Sequence, residues 1–348
     1  MRQRPPAPSA LATAVAKWGL LGAGSLPSTP LDDATFDALR AESERHRLIG
    51  LLAAAVEAGG FAVTDTQLDG LRAQTRRWHA VELRGEQLLL RALDQLQVAG
   101  IEHRVLKGPA LARLAYEHPE HRTFGDVDVL VGAHDFHRCA ELLGGALGAV
   151  RVHAEEAAGF DDEFGREIML QLGSLELDLH RTLVSGYYGL ALPLDELFDG
   201  VSTVTIGGRH VPALAPVPLL LHAALVAVIG DVRPRLNAQR DLVQLVRTSE
   251  LDEGTVIATA ARWRCTDLLV AGLVGVADWC PAPVPPLVAW AQRQRVPLPR
   301  RVLQAAYRNR FRGPLVSLSG ALAPLAPGAR RRYVGATLRR FGRTLRSA

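Results

Sequence analysis

Lysine is nearly absent from this chain: Lys17 and Lys107 stand against 38 arginines in 348 residues. A GC-rich coding background accounts for the general bias, and it makes each retained lysine a position to read closely. Cysteine is scarce as well. Cys139, Cys265 and Cys280 are odd in number and far apart, with no CxxC pair and no Cys/His spacing suited to zinc, which leaves them as reduced core residues. Long apolar runs are also missing. The most apolar window, "ALAPVPLLLHAALVAVIGD", carries Pro216, Pro218 and His222 and stops at Asp231, short of the ~20 residues that a bilayer span needs, so it reads as a buried helix and no transmembrane segment is expected. Lys17 breaks the apolar stretch behind the first arginines, which argues against a secretory leader and for a cytoplasmic protein.

Acidic residues are missing from one end. Residues 279–348 hold fourteen arginines and no Asp or Glu, so with +4 on the whole chain the first 278 residues carry −10 by difference. Within that end, "ARRRYVGATLRRFGRTLRSA" (329–348) spaces Tyr333, Leu338, Phe341 and Leu345 near helical periodicity among seven arginines. Such a segment suits nucleic acid or an acidic membrane surface, and equally a solvated or partner-packed basic tail.

With 48% hydrophobic residues the chain can build one large core or two smaller ones. Residues 1–78 read as a helical region, typified by "TFDALRAESERHRLIGLLAAAVEAGG", which stops at Gly59 and Gly60. Residues 79–214 read as a mixed α/β core. An amphipathic helix over 80–99 precedes the short strand "IEHRVL"; Gly108 and Pro109 break that strand and start a helix through Tyr116. "GDVDVLVG" reads as a strand, "REIMLQLGSLELDLHRTL" as a hairpin turning at Gly173 and Ser174, and "STVTIGGRHVPAL" as a hairpin about Gly207 and Gly208. Residues 215–348 read as helical, with the Pro-rich "CPAPVPPL" expected to separate a helical lobe from the arginine-rich end.

Three pieces bear on chemistry. Successive side chains of a strand point to opposite faces, so Asp126 and Asp128 share one face roughly 7 Å apart. Two carboxylates so close repel unless a cation compensates, and hard oxygen ligands suit magnesium. An isolated pair of this kind is also what a half-buried strand with a solvated acidic face looks like. In "LELDLH", Glu176, Asp178 and His180 share one face; were that strand to lie beside the first, three aspartates would converge, with Asp178 placed to orient a hydroxyl or accept its proton. In "LKGPAL", Gly108 permits close approach, the helix start favours anions and Lys107 brings positive charge to a phosphate, although Pro109 donates no N–H. Arg122 is a further phosphate contact or a surface charge.

In the order "LKGPALARLAY", "HRTFGDVDVLV", "LELDLHRTL", "LLLHAAL" and "QRDLVQLV", over roughly residues 40–250, the chain resembles the uncharacterised bacterial nucleotidyltransferases of the polymerase-beta-like superfamily. The resemblance implies an α+β fold, with a mixed sheet flanked by helices and with N-terminal and C-terminal helical regions. It implies metal-binding Asp126 and Asp128, Asp178 as third carboxylate, and nucleotide phosphates at Lys107 and Gly108. It implies Mg2+ in a two-metal site, with Mn2+ as an alternative, and transfer of a nucleoside monophosphate from an NTP, ATP foremost, to a small molecule, peptide or macromolecule. His222 and Asp241 match family positions in the helical lobe, Asp241 on the acceptor side or as a structural ion pair. Lys-Gly-Pro departs from the Gly-Ser or Gly-Gly of the wider superfamily, and seventeen residues separate Gly108 from Asp126. A non-catalytic nucleotide-binding or scaffolding member stands as an alternative, as does a role carried by the arginine-rich end.

Overall fold

The computed structural model describes residues 7–20, 26–153, 155, 159–231, 233–280, 282–309 and 312–346. Four helices come first: α1 (Ala10–Lys17), α2 (Asp33–Arg45), α3 (Ile49–Glu57) and the long α4 (Asp65–Val98). There follow β1 (His103–Val105), α5 (Gly108–Ala115), β2 (Val127–Val131), α6 (Phe136–Leu147), β3 (Val150–Arg151), α7 (Phe160–Phe164), β4 (Glu167–Leu172), β5 (Leu175–His180), α8 (Gly186–Ala191), β6 (Ser202–Ile206) and β7 (Arg209–Ala213). Helices complete the chain: α9 (Pro216–Ile229), α10 (Leu236–Thr248), α11 (Glu253–Arg262), α12 (Thr266–Gly275), α13 (Pro286–Gln292), α14 (Leu298–Tyr307), α15 (Arg312–Ser319) and α16 (Pro327–Arg346).

The strands form one seven-stranded mixed sheet in the order β3-β4-β5-β2-β1-β7-β6, parallel at β2–β5 and β1–β7 and antiparallel elsewhere. The protein is thus α+β, with helices on both faces. Both expected hairpins form, turning at 173–174 and 207–208.

Alternation along the strands sorts their side chains between two cores. Val127, Val129 and Val131 of β2, with Leu177 and Leu179 of β5, pack against Leu88, Leu89, Ala92, Leu93 and Leu96 of α4 and against α6. The residues between them, Asp128 and Leu130, Asp178 and His180, face the opposite side, where the N-terminal and C-terminal helices meet in one shared core. Cutting a fully buried leucine of either core, such as Leu89 or Leu220, back to alanine costs about 2–5 kcal/mol.

Helix α4 begins with a capping box in which Thr64 and Gln67 each accept the other's backbone N–H. It runs unbroken past residue 78, where the sequence suggests a boundary, burying Gln67 and Leu71 near its start and Leu88, Leu89, Ala92, Leu93 and Leu96 toward its end. The Pro-rich stretch near 280–287 does not separate two lobes either. Leu287, Val288 and Ala291 of α13 and Tyr307 of α14 are buried in the same core as α9 and α12. The apolar window of the sequence is α9, buried along most of its length, and among the described residues no helix is long and apolar enough to cross a membrane. Cys139 and Cys265 are buried and all three cysteines are free, with burial pushing the first two thiols up to about 12.

The arginine-rich end is a docked helix over its described part. Tyr333 of α16 is buried, packs on Phe160 and Phe164 of α7 and donates its hydroxyl to the Ser317 carbonyl, while Arg332 pairs with Glu163. Leu338 is exposed; the side chains of Phe341 and Leu345 lie outside the described residues.

Candidate active site

Between the sheet and helices α5, α9 and α10 lies a cavity of about 310 Å³. Its walls bring together almost every residue singled out from the sequence: Lys107, Gly108, Arg122, Asp126, Asp128, Asp178, His222 and Asp241.

The sheet register builds its carboxylate end. β2 and β5 are parallel neighbours with Asp128 opposite Asp178 and Leu130 opposite His180, so both aspartates and the histidine rise from one face. Asp128 is 1% exposed; its Oδ1 receives Lys107 Nζ at 2.7 Å and His180 Nε2 at 2.8 Å. Burial pushes the Asp128 carboxyl up, but Lys107 and His180 outweigh it and hold the group well below the usual carboxylate range. Asp178 has no such partner. Burial first, then the charges of Asp128 and Asp126, push it up to about 7, and its Oδ1 is buried without a hydrogen bond. His180 is driven toward its neutral form by burial, against the pull of Asp128, while its Nδ1 lies 3.3 Å from the Thr182 carbonyl. His222 of α9 is held neutral by burial and by the nearby Lys107 and His180.

Ligand atoms of Asp128, Asp178 and His180 lie within 4.8 Å of one another. An orphaned, buried carboxylate oxygen beside a second carboxylate is the donor set that a hard divalent cation satisfies, so the residues present fit such an ion.

Asp126 immediately precedes β2 and lines the same cavity outside that cluster, with its charge acting on Asp178. The third member of the cluster is His180, which sequence alternation places on the Asp178 face. Glu176 is exposed at the far end of β5, opposite Gln171.

Gly108 is left-handed (φ +50°), and a side chain there would meet the Asp126 carbonyl at 3.3 Å. Glycine thus lets α5 start against the 122–126 segment. Lys107 lines the cavity with its ammonium paired to Asp128.

Arg122 is buried and gripped from both sides of its fork by Asp241, Nε to Oδ1 at 3.2 Å and Nη2 to Oδ2 at 2.9 Å. Tyr116 donates its hydroxyl to Asp241 Oδ1 at 2.7 Å. Burial would lower the Arg122 pKa, but Asp241 reverses that and keeps the guanidinium charged; a surface charge it is not.

Several cavity residues carry no sequence signal. Arg47, in the turn after α2, stacks 4.5 Å over the Trp78 ring and lies against Gly125; Arg235 and Asn237 come from the start of α10, and Arg166 and Glu167, which pair with each other, from the start of β4. Beneath the 122–126 segment, Glu82 of α4 accepts the Phe124 N–H at 3.2 Å, and burial, opposed by that bond, pushes its carboxyl up to about 7. Arginine is too abundant here for any one to stand out by type, and α4 shows a single unbroken periodicity through Glu82.

The model of a family described as "Uncharacterised nucleotidyltransferase" matches residues 32–281. No curated protein matches. Among solved structures, the antibiotic-resistance factor ANT(2'')-Ia is 15% identical over 51% of this chain and 90% of its own, with a TM-score of 0.35. An antigenic nucleotidyltransferase-like protein from Paracoccidioides brasiliensis is 16% identical over 56% of this chain and 91% of its own, also with a TM-score of 0.35. Because the family match spans most of the chain, including both strands that carry the aspartates, this protein belongs to the uncharacterised nucleotidyltransferase family.

Proposed function

We propose that the protein is a magnesium-dependent nucleotidyltransferase that moves a nucleoside monophosphate from an NTP, ATP foremost, to an acceptor hydroxyl and releases pyrophosphate. One observation carries this reading: the orphaned Asp178 Oδ1, beside Asp128 and His180, in a cavity that also holds Lys107. Asp128 and Asp178 are the residues to hold the cation, Mg2+ or alternatively Mn2+, with Asp126 reaching it from the cavity wall. When bound, such a cation neutralises the triphosphate and the leaving pyrophosphate.

The chain's own residues do the rest. Lys107 supplies the compensating charge for Asp128 and, from the cavity lining, is the ammonium that would face the phosphates. The acceptor oxygen attacks the α-phosphorus, the bond from that phosphorus to the bridging oxygen breaks, and pyrophosphate leaves. Asp178, poised near neutrality by its surroundings, takes the acceptor's proton. His180 holds Asp128 in place through its Nε2. Arg122, clamped by Asp241, is the fixed cation facing the nucleotide. An NTP substrate goes with a cytoplasmic location.

The test is pyrophosphate release from each NTP with magnesium, in the native protein and in Asp128→Asn and Asp178→Asn. Release lost in both variants supports the reading, and release unchanged in either sinks it. A second reading, a nucleotide-binding member without turnover, is favoured by the completeness with which Lys107 and His180 already satisfy Asp128. It requires saturable NTP binding with no pyrophosphate released under any acceptor.

A further inference from the structure

The cavity has a second, cationic end that nucleotide chemistry at the aspartates leaves unexplained. Lys107 and Arg166 are the positive charges that act on Asp178 and His180, whereas Arg122 and Arg235 act on Arg47, and Asp126 acts on Asp178, Arg47 and Arg122 alike. Arg122 is neutralised by Asp241. Among the described residues no carboxylate lies within ion-pair distance of Arg47 or Arg235. Glu44, near Arg47, is already engaged by Arg77, Trp78 and Gln74.

Two local features hold that end open. Arg47 follows the C-cap of α2 and takes φ +58°, a left-handed position that glycine usually fills because an L side chain is strained there by about 1 kcal/mol or more. The strain puts its guanidinium over Trp78 and against Gly125, at the cavity wall. Across from it, α10 starts a thirteen-residue helix at Leu236, with Arg235 as N-cap. Asn237, in its first turn, is 7% exposed, lines the cavity and has no side-chain hydrogen bond among the described residues. A cavity-lining asparagine without a side-chain hydrogen bond, at a helix start and beside two arginines with no carboxylate in ion-pair distance, is complementary to an oxyanion.

We propose that Arg47, Arg235 and Asn237 form a seat for an oxyanion carried by the acceptor, so that the acceptor is a phosphate-bearing molecule. The proposal rests on the nucleotidyl-transfer reading for the word acceptor; the seat itself does not. The phosphate of such a molecule would sit at the cationic end while its hydroxyl faces Asp178. This selects against cationic acceptors, which Arg47 and Arg235 would repel.

The full-length protein is titrated calorimetrically with inorganic phosphate at constant ionic strength, in chelator and without nucleotide. Arg47→Gln, Arg235→Gln and the double variant are compared with Arg331→Gln/Arg339→Gln, which removes equal charge from exposed positions of α16. Saturable binding that weakens at least tenfold in the double variant and not in the α16 control is expected. Absent binding, or equal binding in all variants, overturns the seat. Arg235 is exposed, so its single variant reports even where Arg47→Gln loosens the α2 turn, and thermal melts identify that case. A non-hydrolysable ATP analogue with magnesium provides the second arm. Weakening of the analogue as large as that of phosphate assigns the seat to the triphosphate and overturns the acceptor assignment. Pyrophosphate release is measured apart from both, so failure of the nucleotidyl-transfer reading is seen separately.

Discussion

The two ends of the cavity are built by opposite means. The carboxylate end comes from a regular sheet: register places Asp128 beside Asp178, pleating puts His180 on the same face, and the hydrogen-bond ladder determines the spacing. The guanidinium end comes from a strained turn after α2, a helix start almost two hundred residues later and an aromatic ring from α4. Regular structure delivers side chains at a set pitch. Irregular structure delivers them wherever packing over-determines the backbone, and the left-handed Arg47 is the sign of it.

Substitutions at each end should separate these modes, and the largest effect is kinetic. Asp128→Asn removes the charge that Lys107 pairs with and that the proposed cation would use, and should cut NTP-dependent pyrophosphate release by about three orders of magnitude or more, measured in a coupled assay. Next is the clamp on Arg122: Asp241→Asn leaves a buried guanidinium without its carboxylate and should destabilise the fold by about 3–5 kcal/mol in chemical denaturation, whereas Arg122→Leu with Asp241→Leu should cost less than that single change.

A smaller effect is expected from Glu82, which holds the segment shared by the two ends. Its pKa of about 7 in the fold lies above the ordinary value of 4.5, so the folded state binds the proton more tightly. The stabilisation is full below pH 4.5 and is lost as pH rises through about 7. Glu82→Gln should therefore melt like the native protein at pH 5 and about 2–4 °C above it at pH 8. The smallest effect is expected at the strained turn. Arg47→Gly relieves the left-handed backbone and loses the stack on Trp78, so unfolding free energy should change by no more than about 1 kcal/mol while phosphate binding is lost. A large destabilisation would show instead that Arg47 is a packing residue.

Much of this was legible in the sequence, for a physical reason. Period-2 alternation in "GDVDVLVG" and "LELDLH" assigns faces without knowledge of the partner strand, and Gly-Pro after an apolar run marks a strand ending in a helix start. These are local properties. Asp126 lies one residue before β2, beyond the span that strand pairing fixes, and lines the same cavity as Asp128. The boundary placed at residue 78 fell inside α4 because one helix serves two cores and changes partner without changing period.

By itself, then, the sequence determined every strand but β3, the two hairpins, the buried apolar helix and the candidate ligands Asp128 and Asp178, all consequences of spacing along a regular backbone. Only the tertiary structure decided that Lys107 lies on Asp128, that Asp178 is left unpartnered, that Asp241 locks Arg122, and that Arg47, Arg235 and Asn237 share one wall. Pairings between residues separated by twenty to nearly two hundred positions depend on how helices and sheet pack. No local periodicity encodes them.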